Sequence, residues 1–251
     1  MGRRRECPSV TAEQMREVDR AMIEDFGIEL VQMMENAGAG LARLAVEAFA
    51  PSRVVVLAGH GGNGGGGLVA ARHLANRGLV VHVVLSEPAA QLTPVPAHQL
   101  EILCRMGVVV STVAPTGSVS AALDPVVDVD LILDALIGYS LLGDPTEPTA
   151  GLIRWANAHP APVLSLDTPS GLDVTTGVAG QPCVRADATL TLALPKTGLL
   201  GTGEVGRLYL ADISVPPRST GGWDWRSATR SGRPRSSRWT SMDRWSGGDT
   251  H

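Results

Sequence analysis

The sequence has almost no lysine. Lys196 is the one lysine among 21 basic residues, a bias we ascribe to nucleotide composition rather than to mechanism. Cysteine is nearly as scarce: Cys7, Cys104 and Cys183 are odd in number and have no metal-like spacing. That excludes a disulfide scaffold or a zinc module and fits a reducing compartment, with Cys104 and Cys183 read as small core side chains. No apolar run reaches the roughly 18–20 residues of a membrane span. The basic start, Met1-Gly2-Arg3-Arg4-Arg5, leads into no apolar stretch. No secretory or twin-arginine signal is therefore expected, and the cytoplasm is the expected compartment. No Gly-Lys-Ser/Thr follows a glycine loop, and no serine sits in Gly-x-Ser-x-Gly, so neither a Walker loop nor a hydrolase elbow is present. His60, His73, His82, His98 and His159 have no ligand spacing. His73 and His82 fall in core elements and read as satisfied core residues.

What is present is a globular composition: 251 residues, 44% hydrophobic and 18% charged, with a net charge of −4. That mean hides a split. Residues 217–251 hold seven Arg against three Asp and four of the five Trp, so a body of −8 carries a tail of +4. The chain divides into a domain over 1–216 and a low-complexity Arg/Ser/Trp tail over 217–251, expected to be disordered. The basic-aromatic mix of the tail leaves one alternative, stacking on nucleic acid, although the whole chain has no nucleic-acid footprint.

Thr11-Ala12-Glu13-Gln14 is a capping box. Helical spacing of Met15, Val18, Met22 and then Leu30, Met33, Met34, Ala37, Leu41 and Leu44 predicts helices over 11–25 and 29–49. Short β-branched runs predict strands over 53–59, 80–85, 108–110, 130–136 and 163–167, with two more over 186–194 and 207–213. Helices are expected near 68–78, 95–106, 118–123 and 149–158. Alternating strands and helices imply a Rossmann-like three-layer α/β/α sandwich with a mostly parallel central sheet, its closing strands left free to run either way.

Three segments at the carboxyl ends of strands carry the chemistry, the edge at which open α/β sheets bind ligands. The first is the glycine run 59–67 between a strand and a helix. Its bare amides and the helix dipole favour an anion, and several of its glycines are expected at positive φ. The second is Asp134-Ala135-Leu136-Ile137-Gly138 and the loop to Asp144. The third is Asp167-Thr168-Pro169-Ser170-Gly171. Each Asp has an N-cap or Asx-turn alternative. Asn63, Asp134 and Ser170 supply oxygen donors only, which suits a hard cation of low charge rather than zinc or copper.

Together with Met34-Glu35-Asn36-Ala37-Gly38 and Gly67-Leu68-Val69-Ala70-Ala71-Arg72-His73-Leu74, these motifs resemble the NAD(P)H-hydrate epimerase family, the YjeF-type N-terminal domain, from about Val10 to Pro216. The resemblance implies a potassium-dependent isomerase, often a homodimer. It would interconvert the R and S forms of hydrated NADH and NADPH for a separate dehydratase that accepts one epimer. It implies potassium held by Asn63, Asp134 and Ser170. It implies substrate contacts from Gly62, Asn63, Gly64, Gly65 and Gly66, from Gly138, Tyr139, Ser140, Leu141, Leu142, Gly143 and Asp144, and from Asp167, which is also the expected catalytic carboxylate. The family pattern Gly-Asn-Asn-Gly-Gly-Asp-Gly reads here as Gly61-Gly62-Asn63-Gly64-Gly65-Gly66-Gly67. With Gly66 in place of the acid, a second reading stays open: a catalytically impaired nucleotide-binding or scaffold protein of the same fold.

Overall fold

The first described helical turn is set by a capping box: Thr11 Oγ1 accepts the Gln14 amide at 3.3 Å and Gln14 Oε1 accepts the Thr11 amide at 2.9 Å. The computed structural model describes residues 9–114, 119–124 and 128–216. The tail expected to be disordered lies outside the described residues. Helix α1 (Ala12–Arg20) widens into a π turn over Ala21–Asp25, and Gly27 at φ +67° redirects the chain. Then follow α2 (Leu30–Phe49), β1 (Arg53–Ala58), α3 (Gly62–Ala75), β2 (Val80–Leu85), α4 (Pro94–Arg105), β3 (Val109–Thr112), α5 (Val119–Leu123), β4 (Leu131–Ala135), α6 (Thr149–Ala158), β5 (Val163–Leu166), β6 (Ala188–Leu192) and β7 (Arg207–Ala211).

The seven strands form one sheet in the order β3-β2-β1-β4-β5-β6-β7, and every pair is parallel. The closing strands thus run the same way as the rest. The crossover between them is built from two single 3-10 turns, Thr197–Leu199 and Gly203–Val205, instead of a long helix. Strands β1 and β4 read as continuous apolar runs because both of their faces are covered. Val54, Val56 and Ala58 point into one core with α2 and α3, while Val55 and Leu57 point into the other with α6. This alternation makes the three layers.

Cys104 corrects an expectation. It is exposed, because α4 buries Pro96, Gln99, Leu100 and Leu103 and turns its neighbour outward. Cys183 is only partly covered.

The sheet order reverses between β1 and β4, so the loops after these strands diverge and open a crevice at their carboxyl ends. Gly59 closes its floor: a Cβ there would stand 1.9 Å from the Leu136 carbonyl oxygen.

Candidate functional site

The glycine run belongs to α3 rather than to a free loop, since that helix begins at Gly62. None of the glycines 59–67 takes positive φ, contrary to the expectation. Their need is space. A Cβ on Gly64 would lie 1.8 Å from the Gly59 oxygen, on Gly65 2.5 Å from Met34 Sδ, on Gly66 2.6 Å from Leu166 Cδ2 and on Gly67 2.5 Å from Ala135 Cβ. Helix α3 therefore lies against α2 and over the sheet at backbone distance. Its cap, Gly61, has no side chain to bond the first-turn amides, and the positive end of the helix dipole faces the crevice.

Asp134 closes β4 with no exposed surface. Its Oδ2 accepts Ser165 Oγ at 2.8 Å and the Ser170 amide at 2.9 Å; its Oδ1 accepts Ser170 Oγ at 2.6 Å and the Leu136 amide at 3.3 Å. Burial pushes its pKa up and the hydrogen bonds from Ser170, Ser165 and Leu136 oppose that. Ser170 Oγ also accepts the Ile137 amide at 2.9 Å, tying the turn after β5 to the loop after β4. Asn63 lies against that same loop, where a Cβ on Gly138 would be 3.3 Å from Asn63 Cβ. Both polar atoms of the Asn63 carboxamide are buried without a partner. An unused neutral oxygen against the loop that Ser170 ties to the buried Asp134, whose donors are all neutral, fits a hard monovalent cation. The described residues contain no His/Cys/Asp/Glu cluster suited to another metal.

Asp167 follows β5 in a left-handed conformation at φ +67° and is nearly buried. Its Oδ1 accepts the Lys196 ammonium, the Leu192 amide at 3.2 Å and Thr191 Oγ1 at 3.4 Å. Lys196 Nζ also donates to the Leu192 carbonyl at 2.9 Å. The N-terminal segment pins this lysine, since the Val10 amide donates to Pro195 O and the Thr197 amide to Val10 O, both at 2.9 Å. The lysine that nucleotide composition alone would explain is thus the counter-charge of Asp167. Its solitude was the one signal that could have singled it out.

A second pair joins from farther away. Tyr139, just after Gly138, donates its phenol hydrogen to Asp19 Oδ2 at 2.5 Å. Asp19 lies on α1 and no motif marks it. Burial first, and the charge of Asp167 as well, push Asp19 up, while Tyr139 and Lys196 pull it down. Burial first, then Asp19, hold the Tyr139 phenol well above its usual range. Asp19, Tyr139, Asp167 and Lys196 thus share one electrostatic neighbourhood.

The remaining expected contacts diverge. Ser140, Gly143 and Asp144 are exposed, Leu141 is half-buried, and Leu142 is 87% exposed. Asp144 Oδ1 is spent on the Gln181 amide at 2.9 Å. His60 meets Glu87 at 3.1 Å, His73 meets Glu35 at 2.7 Å and His82 meets Ser111 at 2.8 Å, so these histidines are paired away from Asp134 and Asp167. A surface cavity of about 260 Å³ lies at the other end of β5, lined by Asn157, His159, Arg185 and Asp187 among others.

Comparison with known proteins gives a consistent answer. A protein-family model described as "YjeF-related protein N-terminus" matches residues 30–198. The chain is 48% identical to an NAD(P)H-hydrate epimerase of Dehalogenimonas lykanthroporepellens, covering 83% of this chain and 82% of that protein. It is 40% identical to a bifunctional NAD(P)H-hydrate repair enzyme of Salinibacter ruber, covering 84% of this chain but 42% of that longer protein. The crystal structure of the yeast protein YNL200c superposes with a TM-score of 0.72 at 27% identity, covering 81% of this chain and 88% of that one.

Proposed function

The chain belongs to the YjeF-related N-terminal family, and on that premise we propose that it is an NAD(P)H-hydrate epimerase, an isomerase that interconverts the R and S hydrates of NADH and NADPH. The observation that carries the reading is the meeting, on one edge of the sheet, of the bare N-terminus of α3 with two buried carboxylates, Asp134 and Asp167. The amides suit the diphosphate of a dinucleotide. The hydrate bears a hydroxyl on the carbon beside the ring nitrogen, and its expulsion leaves an iminium-like cation to which water can return on either face. The carboxylate of Asp167 stabilises that cation and exchanges a proton with the oxygen. Lys196 holds the carboxylate through Oδ1.

Asn63, Asp134 and Ser170 would hold a potassium ion. Bound there, potassium would order the loops after β4 and β5 and offset phosphate charge rather than act as a strong Lewis acid. Gly62, Asn63, Gly64, Gly65 and Gly66 would line the phosphate side and Gly138 and Tyr139 the ring side. The protein would work as a homodimer in the cytoplasm, with its product passing to a separate dehydratase. No helix among the described residues is long and apolar enough to cross a membrane.

Gly66 favours a second reading, a nucleotide-binding protein without turnover. The space of the family acid is filled here by the end of Leu166. Mixing purified protein with the R hydrate and following the S form by chiral chromatography separates the two. A rate above the spontaneous one is expected. A spontaneous rate alone, with calorimetry still showing dinucleotide binding in potassium buffer, would replace the enzyme by the binding protein.

A further inference from the structure

We propose that Glu87, in the turn after β2, is a specificity-determining residue that accepts the adenosine ribose 2′-hydroxyl of NADH hydrate and repels the 2′-phosphate of NADPH hydrate. The proposal rests on the epimerase reading and deepens it.

A dinucleotide reaches beyond its ring and its diphosphate. With the ring at the ends of β4 and β5 and the diphosphate at the N-terminus of α3, the second nucleoside continues along the sheet edge past β1. The strand on that side of β1 is β2. From β5 to β2 the sheet takes three strand spacings of about 4.8 Å each, a span that suits an extended dinucleotide. Strand β2 ends level with β1, Leu85 opposite Ala58, and the Ser86 amide donates to Ala58 O at 3.0 Å. The turn that follows therefore emerges beside the glycine run. There Glu87 Oε2 stands 3.1 Å from His60 Nδ1, and His60 directly precedes Gly61, the cap of α3. A Cβ on Gly61 would meet nothing within 4 Å, so the space beside that cap is open.

The His60–Glu87 pair is not needed to fix the loop. The Thr93 amide and Oγ1 already donate to His60 O, at 3.1 and 3.3 Å. Nor is the pair buried: the His60 and Glu87 side chains are 56% and 28% exposed. Glu87 Oε1 has no partner among the described residues, which leaves a free acceptor at the ligand edge. An acid at the end of this strand, about 20 residues beyond a glycine turn, is where doubly wound sheets hold the ribose of a dinucleotide. A carboxylate accepts the 2′-hydroxyl hydrogen. An ionised 2′-phosphate offers no such hydrogen and adds close to two negative charges, so it needs a cation. Residues 86–104 contain no Arg or Lys. Arg105, which follows, is paired with Glu101, and Arg72 on α3 with Glu35. Among the described residues His60 is the one basic group set against Glu87, and the carboxylate already meets it.

The test compares the two hydrates. Values of kcat/KM for the R hydrates of NADH and NADPH are measured on the full-length protein and on its Glu87→Gln and Glu87→Arg variants. Calorimetric titration with ADP-ribose and with its 2′-phosphate, in potassium buffer, gives a readout without the ring. The unsubstituted protein should favour NADH hydrate roughly 10- to 100-fold, chiefly through KM, and ADP-ribose by a similar factor in Kd. Glu87→Gln, which keeps the shape and removes the charge, should bring both ratios to within about 3-fold. Glu87→Arg should invert them. A merely structural role would lower activity toward both hydrates together and leave the ratio in place. Equal kcat/KM for the two hydrates in the unsubstituted protein, or a ratio that Glu87→Gln does not narrow, overturns the proposal. If neither hydrate is epimerised at all, the epimerase reading fails and the titrations decide: a preference for ADP-ribose that Glu87→Gln abolishes upholds the role of Glu87, and equal affinities or no binding overturn it.

Discussion

Asp134 and Asp167 sit at the ends of neighbouring strands, both buried, and their charges are met in opposite ways. Asp167 carries its counter-charge inside the chain, on Lys196, which is itself fully buried. Asp134 receives four hydrogen bonds from hydroxyl and amide donors and none from a cationic group. Against the loop after β4, the Asn63 carboxamide oxygen has no partner. A buried ionised group without compensation costs several kcal/mol. The contrast therefore divides the site into a carboxylate balanced by the fold and one that an outside cation would balance.

The largest break in that comparison comes from Lys196→Met. It leaves Asp167 buried and unpaired and should destabilise the fold by about 3–5 kcal/mol in urea denaturation, with loss of activity. Adding Asp167→Asn should recover most of the stability and none of the activity. Equal stability of single and double variants would show that the pair is not coupled. Next comes a carboxylate placed against Leu166 of β5. Gly66→Asp must push Leu166 aside and should cost about 1–3 kcal/mol, yet raise the epimerisation rate. Gly66→Ala controls for the strain, and an unchanged rate in Gly66→Asp would count against a role for that acid. Replacing potassium by choline should lower stability by roughly 1–3 kcal/mol, depending on saturation. That response should vanish in Asp134→Asn and survive in Lys196→Met. A potassium response in Asp134→Asn would move the cation elsewhere.

The sheet and the two carboxylates were legible because each is signalled locally. A β-branched run ending in Asp is a buried strand reaching the ligand edge, and the bounds of β2 and α6 fall where the pattern puts them. Lys196 and Asp19 were not legible, since nothing near either one encodes its partner. Lys196 answers Asp167 across 29 residues and Asp19 answers Tyr139 across 120. The glycine run was seen but misjudged for a similar reason. Its local composition suggests turns, whereas the atoms that forbid side chains come from Met34, Ala135 and Leu166. Partners set by tertiary approach leave no periodicity behind.

The smallest effect is expected from a third carboxylate, Asp173 in the segment that follows β5, and it shows what burial adds. Asp173 is exposed, and its Oδ1 accepts the Thr175 and Thr176 amides at 2.8 and 2.9 Å. Those two bonds hold its pKa below the usual 3.8. A depressed carboxylate stabilises the fold above its unfolded pKa, and that contribution is lost as pH falls through the folded value. Asp173→Ala should cost about 1 kcal/mol at pH 7, leave potassium response and activity unchanged, and flatten the part of the acid unfolding curve below pH 3.8. Solvent already meets most of this charge, so its loss removes only local hydrogen bonds. If Asp173→Ala instead matched Lys196→Met in cost, burial would not be what separates the two inner carboxylates from their neighbour.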